Sequence, residues 1–159
     1  MVRREGTTQG GRIPRQGRVN HAVVTLSVPG TVAGVRQAIL AFEEFGRAHG
    51  VPAGTVWRVQ LALDEMLSNI VRHGAPDAAA PVDVTFSLDG GMVVVEIVDG
   101  TAPFNPLLVP APDTRSPLQE RQPGGLGIAL VRRLMDETLY ERRDQQNYFV
   151  MRCGPHADR

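Results

Sequence analysis

Glu65 and Asn69 stand four residues apart in a stretch whose apolar residues recur at helical spacing. On a helix the two lie about 40° apart on one face. That face points away from the apolar stripe, with Arg58 and Arg72 nearby. A carboxylate so placed can act as general base on a hydroxyl, and an amide oxygen can ligate Mg²⁺, a hard cation that prefers oxygen. An isolated pair of this kind is more often a solvated polar face, and Asp64 and His73 read as ordinary neighbours. Asp99 ends the apolar run Met92–Val98 and enters a Gly-Thr-Ala-Pro turn. Its carboxylate can accept a hydrogen bond from a ligand amine, adenine's exocyclic amino group being a natural donor. It can also support its own turn through an Asx-type bond, the commoner use. Phe104 just beyond can cover a flat ring or plug the core; core is the expectation. The third candidate is Gly124-Gly125-Leu126-Gly127, directly before an amphipathic helix. Glycines let a backbone approach phosphates, and a helix N-terminus offers free amides with partial positive charge. The same glycines also suit a plain flexible joint. Arg115 and Arg121, in the loop before them, can reach phosphates or stay solvated, and solvation is expected.

These groups need elements to carry them. Val23, Val24, Leu26 and Val28 predict a strand stopped by Pro29-Gly30, in a domain that begins near Ala22. Val35, Ala38, Phe42 and Phe45 predict an amphipathic helix to about Gly50. A second helix follows Pro52 with Thr55 as candidate N-cap, its stripe being Val56, Val59, Leu63, Met66 and Ile70, and Gly74 with Pro76 closing it. Val82–Leu88 and Met92–Val98 are strand-like runs joined by Asp89-Gly90-Gly91, a hairpin signal. Pro-rich chain from Thr101 to about Pro123 is long enough to be a functional lid or a mobile loop. A helix carrying Ile128, Leu130, Val131 and Leu134 follows, and strands at about Thr138–Glu141 and Tyr148–Arg152 flank a turn-prone Asp144–Asn147. The sum is α+β, a two-layer sandwich of a mixed sheet with helices on one face.

Composition narrows the chemistry. The 159 residues suit one domain with a real core, taken as 21–159, behind an Arg/Gly-rich tail at 1–20 that cannot bury enough surface to order itself. Formal net charge is zero, which argues for neither nucleic acid nor a membrane surface as partner. All seventeen basic residues are Arg and none is Lys. Phosphates must therefore be met by backbone amides, metal ions or Arg, and a P-loop enzyme is excluded for want of its lysine. No apolar run approaches membrane-spanning length, the N-terminus lacks a secretory h-region, and the lone Cys153 fits a reducing cytoplasm or a buried neutral thiol.

The fixed order of helix Glu/Asn, strand-end Asp and late glycines carries a resemblance. Leu61–Gly74, with Glu65, Asn69 and His73 in the spacing E-x-x-x-N-x-x-x-H, resembles the N-box of GHKL-type (Bergerat-fold) ATPases, and most of all their anti-sigma-factor serine kinase branch. Val98–Pro106 is similar to that branch's D-x-G-x-P-F-x-P box. Gly124–Val131 followed by Leu134–Glu137 resembles its second glycine box, and Tyr140-Glu141-Arg142 with Asn147 its closing hairpin. The likeness runs from about Val23 to Arg152. It implies a Bergerat fold and Mg·ATP as cofactor. Glu65 is then general base, Asn69 the Mg²⁺ ligand, and Asp99 with Gly100 and Thr101 the adenine box. Gly124, Gly125, Leu126 and Gly127 form the phosphate loop. It further implies a serine of a STAS-type anti-anti-sigma protein as substrate, a sigma factor as a partner held inactive, and a homodimer. One departure stands out. Where the family has Gly two residues after the Asp, this chain has Thr101, with Gly100 one place earlier. A side chain there is expected to crowd the adenine or shift the turn. It keeps open the alternative of a non-catalytic regulator that binds nucleotide or has lost it; intact Glu65 and Asn69 argue against that.

Overall fold

The computed structural model describes residues 22–73, 80–110 and 125–155. The elements run β1 (Val23–Pro29), α1 (Val32–Ala48), α2 (Ala53–His73), β2 (Pro81–Asp89), β3 (Met92–Asp99), α3 (Leu126–Leu134), β4 (Glu137–Arg143) and β5 (Gln146–Cys153), with a short 3₁₀ turn at Pro106–Leu108. The tail at 1–20, the Gly74/Pro76 helix stop, Arg115, Arg121 and Gly124 lie outside the described residues.

Helix α1 starts where Thr31, in extended backbone, accepts a hydrogen bond from the Gly34 amide at 3.3 Å. The expected stripe of Val35, Ala38, Phe42 and Phe45 is buried, and Phe42 meets Phe86 of β2 edge-on at 5.1 Å between ring centroids. Thr55 is not the N-cap of α2. The helix begins two residues earlier, its first bond running from the Val56 amide to the Pro52 carbonyl at 2.9 Å. Thr55 instead points inward, fully buried, and donates its hydroxyl to the Gly154 carbonyl at 3.3 Å, tying α2 to the end of β5.

Among the described residues five strands form one sheet in the order β1-β2-β3-β5-β4. The expected mixed pairing is corrected: every neighbouring pair is antiparallel. Two successive helices between β1 and β2 reverse the chain an extra time, so β2 returns antiparallel to β1. The single helix α3 brings β4 back parallel to β3, but one position away. The β4–β5 hairpin then inserts β5 between them, so no parallel pair forms. Burial alternates along β3 and β5, every second residue turning to the helices, which makes a two-layer sandwich with α1, α2 and α3 on one face. The core gathers Phe42, Leu63, Met66, Phe86, Val95 and Met151 between the layers. The β2–β3 turn is two residues, Gly90 and Gly91, both at positive φ, as its glycines predict. The β4–β5 turn uses Asp144 and Gln145 at positive φ, shorter than the expected Asp144–Asn147 and leaving Asn147 inside the strand. Among the described residues no helix is long and apolar enough to cross a membrane.

Candidate functional site

The period-two pleat of β3 buries Val93, Val95, Ile97 and Asp99 on one face, so the carboxylate lies at the inner, helix-facing end of a central strand, 5% exposed. Its cross-strand neighbour on β5 is Asn147, also buried. Asp99 Oδ1 accepts from the Thr101 amide at 2.9 Å, from the Thr101 hydroxyl, and from Asn147 Nδ2 at 3.0 Å. The Asx-type turn foreseen for Asp99 is thus present, and it uses only one carboxylate oxygen. Among the described residues no hydrogen bond reaches Oδ2. Thr101 does not take positive φ, and its side chain folds back onto the aspartate. The turn is therefore built without the flexibility of a glycine, and without rebuilding at Gly100, which is exposed and holds no positive φ.

Asp99 and Thr101 line a cavity of about 180 Å³ together with Asn69 and His73 of α2, Phe104 of the following loop, and Tyr140 and Asn147 of the hairpin. That is roughly ten times the room one water requires. Its walls are mainly apolar, from Met66, Ile70, Ile97 and Phe149, with polar groups at a few points, the usual make-up of a small-molecule site. Phe104 corrects an expectation. It does not plug the core but stands 44% exposed on the cavity wall. Asn69 also departs from the expected outward face, sharing the cavity with the stripe residues Met66 and Ile70.

Glu65, one helical turn (about 5.4 Å) before Asn69, lies outside that cavity. It borders a groove between α1 and α2 with Arg36, Asp64 and Arg72, its side chain 29% exposed. Arg72 Nη2 lies 3.4 Å from Asn69 Oδ1 and 4.0 Å from Glu65 Oε2, so one exposed guanidinium lies between the two oxygens. Arg58 is not part of this group; it binds the Gly54 and Gly154 carbonyls at the other end of α2. On the far side of Glu65 sits α3. A Cβ added to Gly127 would come 2.0 Å from Glu65 Oε2, so glycine is what lets the first turn of α3 close onto the carboxylate. Gly125 precedes the helix in left-handed backbone, φ 81°, where a side chain is strained. Leu126 is exposed. Arg132 of α3 donates to the Leu107 and Val109 carbonyls, fastening the helix to the loop that follows Asp99.

Mg²⁺ prefers oxygen donors, and the Asn69 amide offers one at the edge of the cavity. Asn69 Oδ1 already accepts from a positive charge, the Arg72 guanidinium, with Nη2 at 3.4 Å. Among the described residues no cluster of three or more His, Cys, Asp and Glu side chains forms a metal site. A divalent ion would then take most of its ligands from phosphate and water, as Mg²⁺ commonly does.

A model of the histidine kinase-like ATPase domain matches residues 28–153. The chain belongs to that family. The serine/threonine-protein kinase BtrW of Bordetella bronchiseptica is 29% identical over 128 residues, 80% of this chain and 90% of that protein. The solved structure of the RsbU and RsbW domains of Rv1364c from Mycobacterium tuberculosis has the same fold, with TM-score 0.61 and 17% identity over 84% of this chain. This chain spans about a third of that protein, 32% of its length. The family match bears out the resemblance to GHKL-type ATPases, and the solved structure bears out the fold that it implies.

Three of this ATPase domain's cavity residues were not singled out from the sequence as site residues: Tyr140, Asn147 and His73. The signal for Asn147 was available. It is the one polar residue in the inward series Asn147, Phe149, Met151, Cys153; period-two reading gives its face, and the β3–β5 register then sets it opposite Asp99.

Proposed function

We propose that this ATPase-family chain is a Mg²⁺-dependent serine protein kinase that phosphorylates a small STAS-type anti-anti-sigma protein and, as a homodimer, holds a sigma factor inactive. The observation that carries this reading is the division of Asp99. One oxygen is consumed by the fold and the other is left as an acceptor at a cavity also lined by Asn69. An amino-purine supplies the matching donor, and Phe104 supplies a flat apolar surface beside it. The likeness to a serine/threonine kinase supports phosphoryl transfer to protein.

In this reading Asp99 and Thr101 hold the base, and Gly125 and Gly127, with Gly124, leave room for phosphates at the start of α3. Asn69 holds Mg²⁺, which when bound neutralises phosphate charge. Arg72 is more than half exposed and swings out to release the Asn69 oxygen. Glu65, open to the α1–α2 groove, takes the proton from a serine hydroxyl that arrives from solvent. Positioning and charge neutralisation supply most of the acceleration, as phosphoryl transfer requires. The non-catalytic alternative draws on Thr101; the folding of that side chain onto Asp99, beside a cavity, supports the catalytic reading.

Separate substitution of the two α2 residues tests the assignment. Glu65→Ala is expected to retain ATP binding and lose serine phosphorylation of a STAS protein, measured with labelled ATP. Asn69→Ala is expected to weaken binding only where Mg²⁺ is present. Parental transfer by Glu65→Ala would remove Glu65 as base.

A further inference from the structure

We infer that Asn147 is a positioning residue that fixes Asp99 as a one-way acceptor and thereby sets the preference for a 6-amino purine; this rests on the adenine reading above. Asn147 is 4% exposed and every polar atom of its side chain is engaged. Its Nδ2 lies 3.0 Å from Asp99 Oδ1, 3.2 Å from Thr101 Oγ1 and 3.1 Å from the Ala102 carbonyl. Its Oδ1 accepts from the Tyr140 hydroxyl at 2.8 Å and from Arg142 Nη1 at 2.9 Å.

Arginine can only donate. The Asn147 oxygen must therefore face Arg142, and the amide nitrogen must face Asp99; the flipped amide would set two donors against each other and an oxygen against a carboxylate. Arg142 is itself anchored, its Nη1 also donating to the Thr101 carbonyl at 2.7 Å. Donation thus runs in one direction, from Arg142 and Tyr140 through Asn147 to Asp99. With the Thr101 amide and hydroxyl added, Oδ1 receives three donors and the carboxylate cannot turn about its last torsion. Only Oδ2 remains to meet the ligand. A 6-amino group donates to it. A 6-oxo group sets a second acceptor against it, and Asp99 has no freedom to present anything else. In this chain the asparagine and Thr101 together do the fixing that a glycine turn leaves undone.

The test compares ATP with ITP, which differ at purine position 6 in carrying an amino or an oxo group. Binding of each nucleotide is measured by calorimetry for the parent protein, Asn147→Ala and Tyr140→Phe, with thermal unfolding run alongside. A hydrogen bond to a charged group, lost from a buried site, corresponds to roughly tenfold in affinity. The parent is expected to prefer ATP, and Asn147→Ala to lower that ATP-to-ITP ratio about tenfold, mainly through ATP. A residue that merely supported the fold would reduce both affinities together and leave the ratio alone; that result overturns the inference. Should Asn147→Ala fail to fold, Tyr140→Phe decides. Loss of one of the two donors that orient the amide is expected to lower the ratio about threefold, and an unchanged ratio overturns the inference. A parent protein that binds neither nucleotide defeats the adenine reading itself, a separate outcome.

Discussion

Replacing Gly127 by Ala adds a single methyl group, yet the structure gives it an unusual target. The new Cβ would lie 2.0 Å from Glu65 Oε2 and 2.7 Å from its Cδ. Ordinary contact begins near 3.4 Å, so the carboxylate must retreat by more than an ångström. It can do so cheaply, because the clash falls on the end of a flexible, partly exposed side chain and not on backbone. Alanine also favours a helix over glycine by up to about 1 kcal/mol, less in a first turn. Fold stability should therefore change by no more than about 1 kcal/mol in either direction. The reacting geometry should not survive so well, since a displacement of about 1 Å at a catalytic group can cost on the order of a hundredfold in rate. Urea unfolding, ATP binding and serine phosphorylation measured on Gly127→Ala separate these effects. The expected outcome is near-parental stability, binding within a few-fold, and transfer reduced about a hundredfold. Parental transfer would refute the contact between Gly127 and Glu65 as the thing that positions the base. Loss of several kcal/mol would show that the collision falls on something stiffer than a side chain.

Cys153 is fully buried at the end of β5, and desolvation lifts its thiol above the ordinary 9.0, with Asp136 adding to the shift and Arg58 opposing it. Native protein should resist a thiol reagent such as dithionitrobenzoate, with full reaction appearing only on unfolding; rapid native labelling would contradict the burial. The raised value also makes stability pH-dependent in a definite direction. The contribution is complete below the unfolded thiol's value and is lost as pH rises through the folded one, since the unfolded chain gives up its proton first. Stability should fall on the alkaline side of about pH 9, and Cys153→Ala should remove that part of the slope in urea titrations at successive pH values.

Much of the scaffold was legible because single-residue patterns determine it. The stripe Val35, Ala38, Phe42, Phe45 could only be buried on one side of a helix, and Gly90-Gly91 suited a tight hairpin at positive φ. The apolar run before Asp99 placed that carboxylate at the end of a central strand. What escaped depends on pairings between distant segments. Antiparallel order throughout the sheet follows from how many helices separate each pair of strands and from β5 filling the slot beside β3, which no local pattern records. Thr55 has an N-cap's chemistry, but its hydroxyl is used on Gly154, almost a hundred residues away. Phe104 has the apolarity of a core residue, yet it stands exposed in the loop after β3. The bond that folds Thr101 back onto Asp99 is invisible until both residues are placed. Asn147 passed as part of a turn, since Asp144 and Gln145, neither of them glycine, take the positive φ that shortens the hairpin.

One titration bears most directly on the whole account: ATP added to the parent chain by calorimetry, with and without Mg²⁺. The cavity beside Asp99, with Asn69 at its edge, predicts saturable binding at one site per chain that tightens when the metal is present. No heat of binding under either condition, at nucleotide concentrations up to the millimolar range, would contradict it.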